Sequence, residues 1–281
     1  MPAPDTSPSP AGIQPGRPGA SGRPLVSLKG ISKTFSNGTV AIRDLDLDVA
    51  EGQFVSLLGP SGCGKSTVLR IIAGLGDPTA GTVDWPSADH DIAGRPEREI
   101  GFVFQEPTLM PWATAFNNVW LPLRLRGVSK AAAQDRVREA LAMVGLEKFA
   151  GAYPRELSGG MKMRVSIARA LITRPKLLLM DEPFAALDEI TRFKLNDDLL
   201  HLWQTFGWTV VFVTHSVFES VYLSNRIVVM AARPGRVHAD IAVDAPYPRD
   251  EDFRTSAAYN AYCRMTSDAL HEAILSTMAE L

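Results

Sequence analysis

The stretch from Phe54 to Thr67 constrains the fold of this chain more than any other. Phe54-Val-Ser-Leu-Leu58 is an apolar run of strand length, and Val68-Leu-Arg-Ile-Ile-Ala73 is a helix-forming run. Between them lies Gly59-Pro60-Ser61-Gly62-Cys63-Gly64-Lys65-Ser66-Thr67, a G-x4-G-K-[ST] loop in the strand-to-helix setting that this phosphate-binding motif needs. Gly59, Gly62 and Gly64 are expected to let the backbone turn with its N–H groups inward, as a nest for phosphate oxygens. The N-terminus of the following helix adds partial positive charge at the same point. Lys65 is expected to reach the β- and γ-phosphates of a nucleoside triphosphate, and Ser66 to ligate Mg²⁺. The rival reading is an ordinary glycine-rich turn between strand and helix.

Composition narrows what such a chain does. Its 281 residues fit one large domain or two small ones, and 46% hydrophobic residues is ordinary for a soluble protein. A net charge of −2 gives no reason to expect a nucleic-acid surface. Cys63 and Cys263 stand alone, which argues for a reduced compartment and no disulfide framework. No apolar run has transmembrane length and the N-terminus has no secretory pattern, so the expectation is a soluble, intracellular protein whose membrane role runs through a partner. Residues 1–24, rich in Pro, Gly, Ser and Ala, read as a disordered leader.

Short alternating runs between Leu25 and Val49, with a hairpin turn at Asn37-Gly38, predict antiparallel strands. Phe35, just before that turn, either stacks on an adenine ring or fills the face of the sheet. From Phe54 to Met230 strands and helices alternate, which predicts an α/β core with a mostly parallel sheet. Thr114 and Ser129 are candidate caps of two helices in an insertion spanning about 106–172. Residues 25–243 form the expected catalytic domain, and 244–281 a helical tail carrying Ala, Leu and Met on one face. That tail is read as packing, with partner contact as the alternative.

Two further constellations carry chemistry. Asp181-Glu182 directly follows the apolar run Lys176-Leu-Leu-Leu-Met180, so both carboxylates stand at the end of a buried strand, beside the phosphate loop. Asp181 is expected to hold Mg²⁺ through water and Glu182 to polarise the attacking water; a solvated turn is the alternative. In Leu157-Ser158-Gly159-Gly160-Met161, Ser158 caps a helix whose first N–H groups two glycines leave open, a second anion site. A second cradle makes sense if it covers the γ-phosphate of another copy's ATP.

Together, Gly59 to Ser66, Gln105, Leu157 to Met161, Leu177 to Glu182, Ala185-Ala-Leu-Asp188 and His215 resemble the ATP-binding subunit of ABC transporters, in order and spacing from about Leu25 to Val237. The resemblance implies a P-loop NTPase core with an N-terminal antiparallel β-subdomain and an inserted helical subdomain. It implies a homodimer with two ATPs sandwiched between the phosphate loop of one copy and the Ser158 segment of the other. It makes Gln105 a glutamine that contacts Mg²⁺ and senses a permease, Asp188 an aspartate at the dimer interface, and His215 a histidine reaching the γ-phosphate. Phe35 matches its adenine-stacking position. Met161 and Met163 stand where glutamines are usual, a variant similar to importer subunits of the nitrate/sulfonate/taurine group.

The expected protein is thus a peripheral ATPase on the cytoplasmic face of the inner membrane, energising import through separate permease subunits and, indirectly, an extracytoplasmic solute-binding protein. The Leu109-Met-Pro-Trp112 loop near Gln105 is the expected route of force. Two rivals remain: a soluble ABC-type ATPase acting on nucleic acid or ribosomes, and a P-loop kinase. His90, His201, His238 and His271 have no partner spacing and read as surface or packing residues.

Overall fold

The computed structural model describes residues 24–88 and 99–279. The leader up to residue 23 and His90 lie outside the described residues. Two sheets organise the rest. The smaller is antiparallel, in the order β2 (Val40–Ala50), β1 (Pro24–Thr34), β4 (Ala80–Asp84), with β1 and β2 joined through the Asn37-Gly38 turn. The larger has six strands in the order β5 (Ile100–Val103), β6 (Leu177–Asp181), β7 (Thr209–Thr214), β3 (Phe54–Leu58), β8 (Arg226–Ala231) and β9 (Arg236–Ala242). All its pairings are parallel except β8 with β9.

β3, β6 and β7 are buried along their whole length, as expected of strands covered on both faces. Their period-two alternation divides the core. Val55, Leu57, Leu177, Leu179, Val211 and Val213 pack with the antiparallel sheet and with helix α1 (Lys65–Ile72). Phe54, Leu58, Leu178, Met180, Val210 and Phe212 face the other helices. There Phe54 meets Trp203 edge to face, with ring centroids 5.8 Å apart.

Between β5 and β6 the chain makes α2 (Ala115–Leu125), α3 (Lys130–Met143) and α4 (Gly159–Leu171). Thr114, Ser129 and Ser158 cap them, each side chain accepting from the backbone N–H three residues on. Asn118, wholly buried, donates to the carbonyls of Met110, Ala113 and Thr114 and accepts from the Met110 N–H. Arg169 of α4 donates to the Pro107 and Thr108 carbonyls. The loop after Gln105 is thereby pinned to the helices, and Trp112 is left 76% exposed at its tip.

α5 (Glu189–Phe206) and α6 (Val217–Leu223) follow β6 and β7. The tail forms α7 (Glu251–Thr255) and α8 (Ala257–Ala279). Its seam keeps Ala269, Leu270 and Ala273 of the expected Ala/Leu/Met face but not the Met residues. Tyr259, Cys263, Thr266 and Ala273 are buried, whereas Met265, Leu275 and Met278 point outward. The residues that pack against β8 and α6 are thus an aromatic and several small ones, a set that a hydrophobicity stripe does not reveal. Arg249 locks the tail's start: 4% exposed, it donates to the carbonyls of Val221, Tyr222, Ser224, Val243 and Ala245. None of the helices among the described residues is long and apolar enough to cross a membrane.

Candidate nucleotide site

In open parallel sheets ligands gather beyond the carboxyl ends of the strands. At that edge a cavity of about 720 Å³ opens, within the range of small-molecule sites. Ser61, Gly62, Gly64, Lys65, Ser66 and Thr67 line it from the phosphate loop, and Gln105 and Glu182 from the ends of β5 and β6. The antiparallel sheet adds Phe35, Thr39, Val40 and Ala41. Phe35 is 45% exposed, with the Lys33 Nζ 5.9 Å from its ring centroid, so it does not fill the face of a sheet.

The loop glycines split into two kinds. Gly62 and Gly64 take φ of 79° and 94°, left-handed values that a side chain resists. Gly59 has no such φ; a Cβ there would stand 2.6 Å from the Met230 carbonyl oxygen and 2.8 Å from the Cys63 Sγ. It is glycine for close packing, which corrects its expected turning role. Gly59, Pro60 and Cys63 do not line the cavity, although the motif counts them with the phosphate contacts. Cys63 is wholly buried, its Sγ 3.8 Å from the Lys65 Nζ. Burial pushes its thiol above the usual range, against the opposing pull of the Lys65 charge and hydrogen bonds.

Lys65 is 5% exposed, and its Nζ donates to the Gly59 and Pro60 carbonyls at 2.8 and 3.1 Å. The same ammonium lies 3.8 Å from the Glu182 Oε1. The other carboxylate oxygen of Glu182 is 3.3 Å from His215 Nδ1. Glu182 sits at φ 44°, a left-handed backbone that costs a non-glycine residue about 1–3 kcal/mol. Its N–H donates to the Val213 carbonyl at 3.0 Å, fixing that turn at the strand end. His215 is exposed and stands beside the cavity rather than in its wall.

Asp181 is buried behind Ser66, whose Oγ donates to the Asp181 Oδ1 at 2.7 Å. Burial pushes the Asp181 carboxyl above the ordinary range and neighbouring Glu182 adds to this, while the Ser66 hydrogen bond, Arg70 and Lys65 pull it back. Two hard oxygen donors side by side at the phosphate loop suit Mg²⁺, which takes one or two protein oxygens alongside substrate phosphates. Among the described residues no group of three or more His, Cys, Asp or Glu is placed to hold a metal by itself.

Ser158, Gly159, Gly160 and Asp188 do not line this cavity. Ser158 and Gly159 are exposed at the start of α4, and the Ser158 Oγ accepts from the Met161 N–H at 3.3 Å. Gly160 is buried, and a Cβ there would stand 2.7 Å from the Thr191 Cγ2, so its small size serves helix packing as well as an open N-terminus. Asp188 is exposed and caps α5, its Oδ1 accepting from the Thr191 N–H at 2.9 Å; that bond holds its carboxyl below the ordinary range. Met163 is 2% exposed within the core and Met161 packs partly buried against it.

The sequence reading missed Thr39, Val40, Ala41 and Arg233 as cavity residues. The signals were two turns, Asn37-Gly38, read only as a hairpin turn, and Pro234-Gly235. The second turn is tied to the first hairpin: the Gly235 N–H donates to the Ala41 carbonyl at 2.9 Å, and the Arg43 N–H to the Gly235 carbonyl at 3.0 Å. Of the remaining histidines, His238 has a partner after all, its Nε2 lying 3.7 Å from the Glu272 carboxylate.

Comparison with known proteins agrees with this geometry. Residues 42–185 match the family model described as ABC transporter. An uncharacterized ABC transporter ATP-binding protein of Methanocaldococcus jannaschii is 44% identical over 256 residues, covering 90% of this chain and 94% of that protein. The aliphatic sulfonates import ATP-binding protein SsuB of Bacillus cereus is 44% identical over 229 residues, covering 80% of this chain and 89% of that protein. Among solved structures, a dimeric ATP-binding cassette in a post-hydrolysis state bound to ADP and Pi superposes with a TM-score of 0.68 at 38% identity. That match covers 79% of this chain and all of the other. The chain therefore belongs to the ABC transporter family, as an ATP-binding subunit whose ATPase activity is coupled to transport.

Proposed function

We propose that two copies of this chain close over two ATP molecules and drive uptake of a small anionic or zwitterionic solute of the sulfonate, nitrate or taurine kind. The observation that carries the dimer is a division of parts. Lys65, Ser66, Gln105 and Glu182 share one cavity, while the anion-binding start of α4 (Ser158, Gly159, Gly160) and Asp188 lie outside it. A second copy supplies them. The dimeric cassette with ADP and Pi supports the same reading.

Each residue then has a task. The N–H groups of the cavity-lining loop residues, Ser61, Gly62 and Gly64 to Thr67, and the Lys65 ammonium bind the triphosphate, with Phe35 against the adenine. Ser66 and Asp181, with Gln105, hold Mg²⁺, which neutralises phosphate charge when bound. Glu182 accepts the proton of the attacking water, and His215 orients the γ-phosphate side of that pair. Asp188 lies at the subunit interface.

The solute class rests on the sulfonate importer relative. The groove lined by Phe102, Phe104, Thr108, Leu121, Leu125 and Arg169, together with the exposed Trp112 of the same loop region, is the seat of the permease. The subunit works peripherally on the cytoplasmic membrane face, with a solute-binding protein on the far side. Deletion of the gene, followed by uptake of radiolabelled taurine, alkanesulfonates and nitrate, tests this. Loss of one uptake activity, restored by wild type but not by Glu182→Gln, is expected. Unchanged uptake of all three, with the protein recovered on ribosomes or nucleic acid, would overturn the importer reading.

A further inference from the structure

His215 is fixed from both sides by one buried residue. Glu219 is 8% exposed, and its Oε2 accepts from the Thr214 Oγ1 at 2.5 Å. The same Thr214 oxygen accepts from the Ser216 N–H at 3.0 Å, and the Ser216 Oγ accepts from the Glu219 N–H at 3.3 Å. Both chain neighbours of His215 are thus tied to Glu219. The second carboxylate oxygen, Oε1, lies 3.8 Å from the Arg192 Nε. Arg192 in turn donates from Nη2 to the Leu187 carbonyl at 2.9 Å, the residue before Asp188. Burial pushes the Glu219 carboxyl up, offset by the Thr214 hydrogen bond and then by the charges of Arg192 and His215 and a bond from Asn196. The acid stands in a pocket that stays tolerable because Arg192 faces it.

We propose that Arg192 and Glu219 are positioning residues for ATP hydrolysis, a latch that holds the Leu187–Asp188 turn and the Thr214–Ser216 turn in one relation so that His215 stands against Glu182. The latch rests on the hydrolytic roles assigned above to Glu182 and His215. Neither Arg192 nor Glu219 lines the nucleotide cavity, so the latch acts on the geometry of the step and not on ATP affinity. It also joins the turn expected at the subunit interface to the histidine, so closure of the dimer and placement of His215 become one motion.

The test compares the dimeric ATPase with Glu219→Gln, Arg192→Ala, Arg192→Lys, the Glu219→Gln/Arg192→Ala double variant and His215→Ala. Measurements are kcat, the Kd of ATP and the melting temperature. Glu219→Gln keeps the shape and a hydrogen-bond acceptor while removing the charge. Each of Glu219→Gln and Arg192→Ala is expected to lower kcat about 10- to 100-fold while the Kd of ATP stays within about threefold. The double variant is expected to be no slower than the slower single one, and Arg192→Lys to recover part of the turnover. Folded single variants with wild-type kcat beside a slow His215→Ala would overturn the latch and leave the hydrolytic site standing. Losses that multiply in the double variant, or that track ATP affinity, would also overturn it. Wild-type turnover in His215→Ala would overturn both readings.

Discussion

The Lys65 ammonium stands 3.8 Å from the Glu182 carboxylate, bridging the loop after β3 and the end of β6. The same nitrogen donates to two loop carbonyls, and the same carboxylate meets His215. An arriving triphosphate competes with Glu182 for that ammonium. On the proposed roles, binding ATP and freeing the carboxylate to act on water are linked events. In Glu182→Gln, ATP binding is expected to persist while turnover falls by about two to four orders of magnitude. Single-turnover phosphate release, read beside ATP binding, checks this; wild-type release removes Glu182 from the role.

Lys65→Ala is expected to act on the other half of that relation. Removing the charge proposed to meet the β- and γ-phosphates is expected to weaken ATP binding by at least about tenfold, equivalent to roughly 1.4 kcal/mol. Calorimetry separates this from the Glu182 variant, in which affinity holds and rate falls.

Asp181 is buried with a carboxyl pushed upward, so its ionised form costs folding energy until a cation faces it. Its folded value lies above the unfolded one. The stability it contributes is therefore full below an unfolded value of about 3.9 and is lost as pH rises through the folded value. Asp181→Asn keeps an acceptor for Ser66 without the charge. Ligand-free Asp181→Asn is expected to melt higher than wild type at pH 7, with the gap closing as pH falls toward 4. Its Mg²⁺-dependent turnover is expected to be lost. A variant that melts lower at pH 7 contradicts this.

Cys63 and Cys263 are both buried, and burial raises both thiols. Neither is expected to react with iodoacetamide in the folded protein at pH 7.5, and both are expected to react fully in denaturant. Intact-mass measurement gives the count directly.

Arg249 donates to five backbone carbonyls, and all five bonds are buried. Arg249→Met is expected to cost about 3 kcal/mol or more of stability, because several buried acceptors lose their partner at once. Chemical denaturation measures it, and ATP affinity is expected to hold, since Arg249 lies away from the cavity.

Much of this was legible in the chain. The strand–loop–helix at Phe54–Ile72, the caps Thr114, Ser129 and Ser158, and the paired acids at the end of β6 follow from local chemistry, and the structure shows each of these local features. What stayed hidden was long-range. Nothing near Val40, Ala41 or Arg233 in sequence says that two separate turns share one cavity with the phosphate loop. The pairing of Arg192 with Glu219 spans two helices, and neither residue belongs to a motif. The left-handed backbone of Glu182 comes from its neighbours, since glutamate has no preference for it. The tail's buried seam escaped for a different reason: Tyr259, Cys263, Thr266 and Ala273 are too mixed in polarity to stand out, while its Met residues face outward.

The tie between Gly235 and the first hairpin has a mechanical consequence. A Cβ on Gly235 would stand 2.2 Å from the Cys63 carbonyl oxygen, so this turn is wedged between β2 and the phosphate loop. Wall and floor of the nucleotide cavity are joined through this turn, and the two ends of ATP are expected to be gripped together. Displacement driven by hydrolysis is then expected in the helical insertion carrying Ser158 and Trp112, which this wedge does not touch.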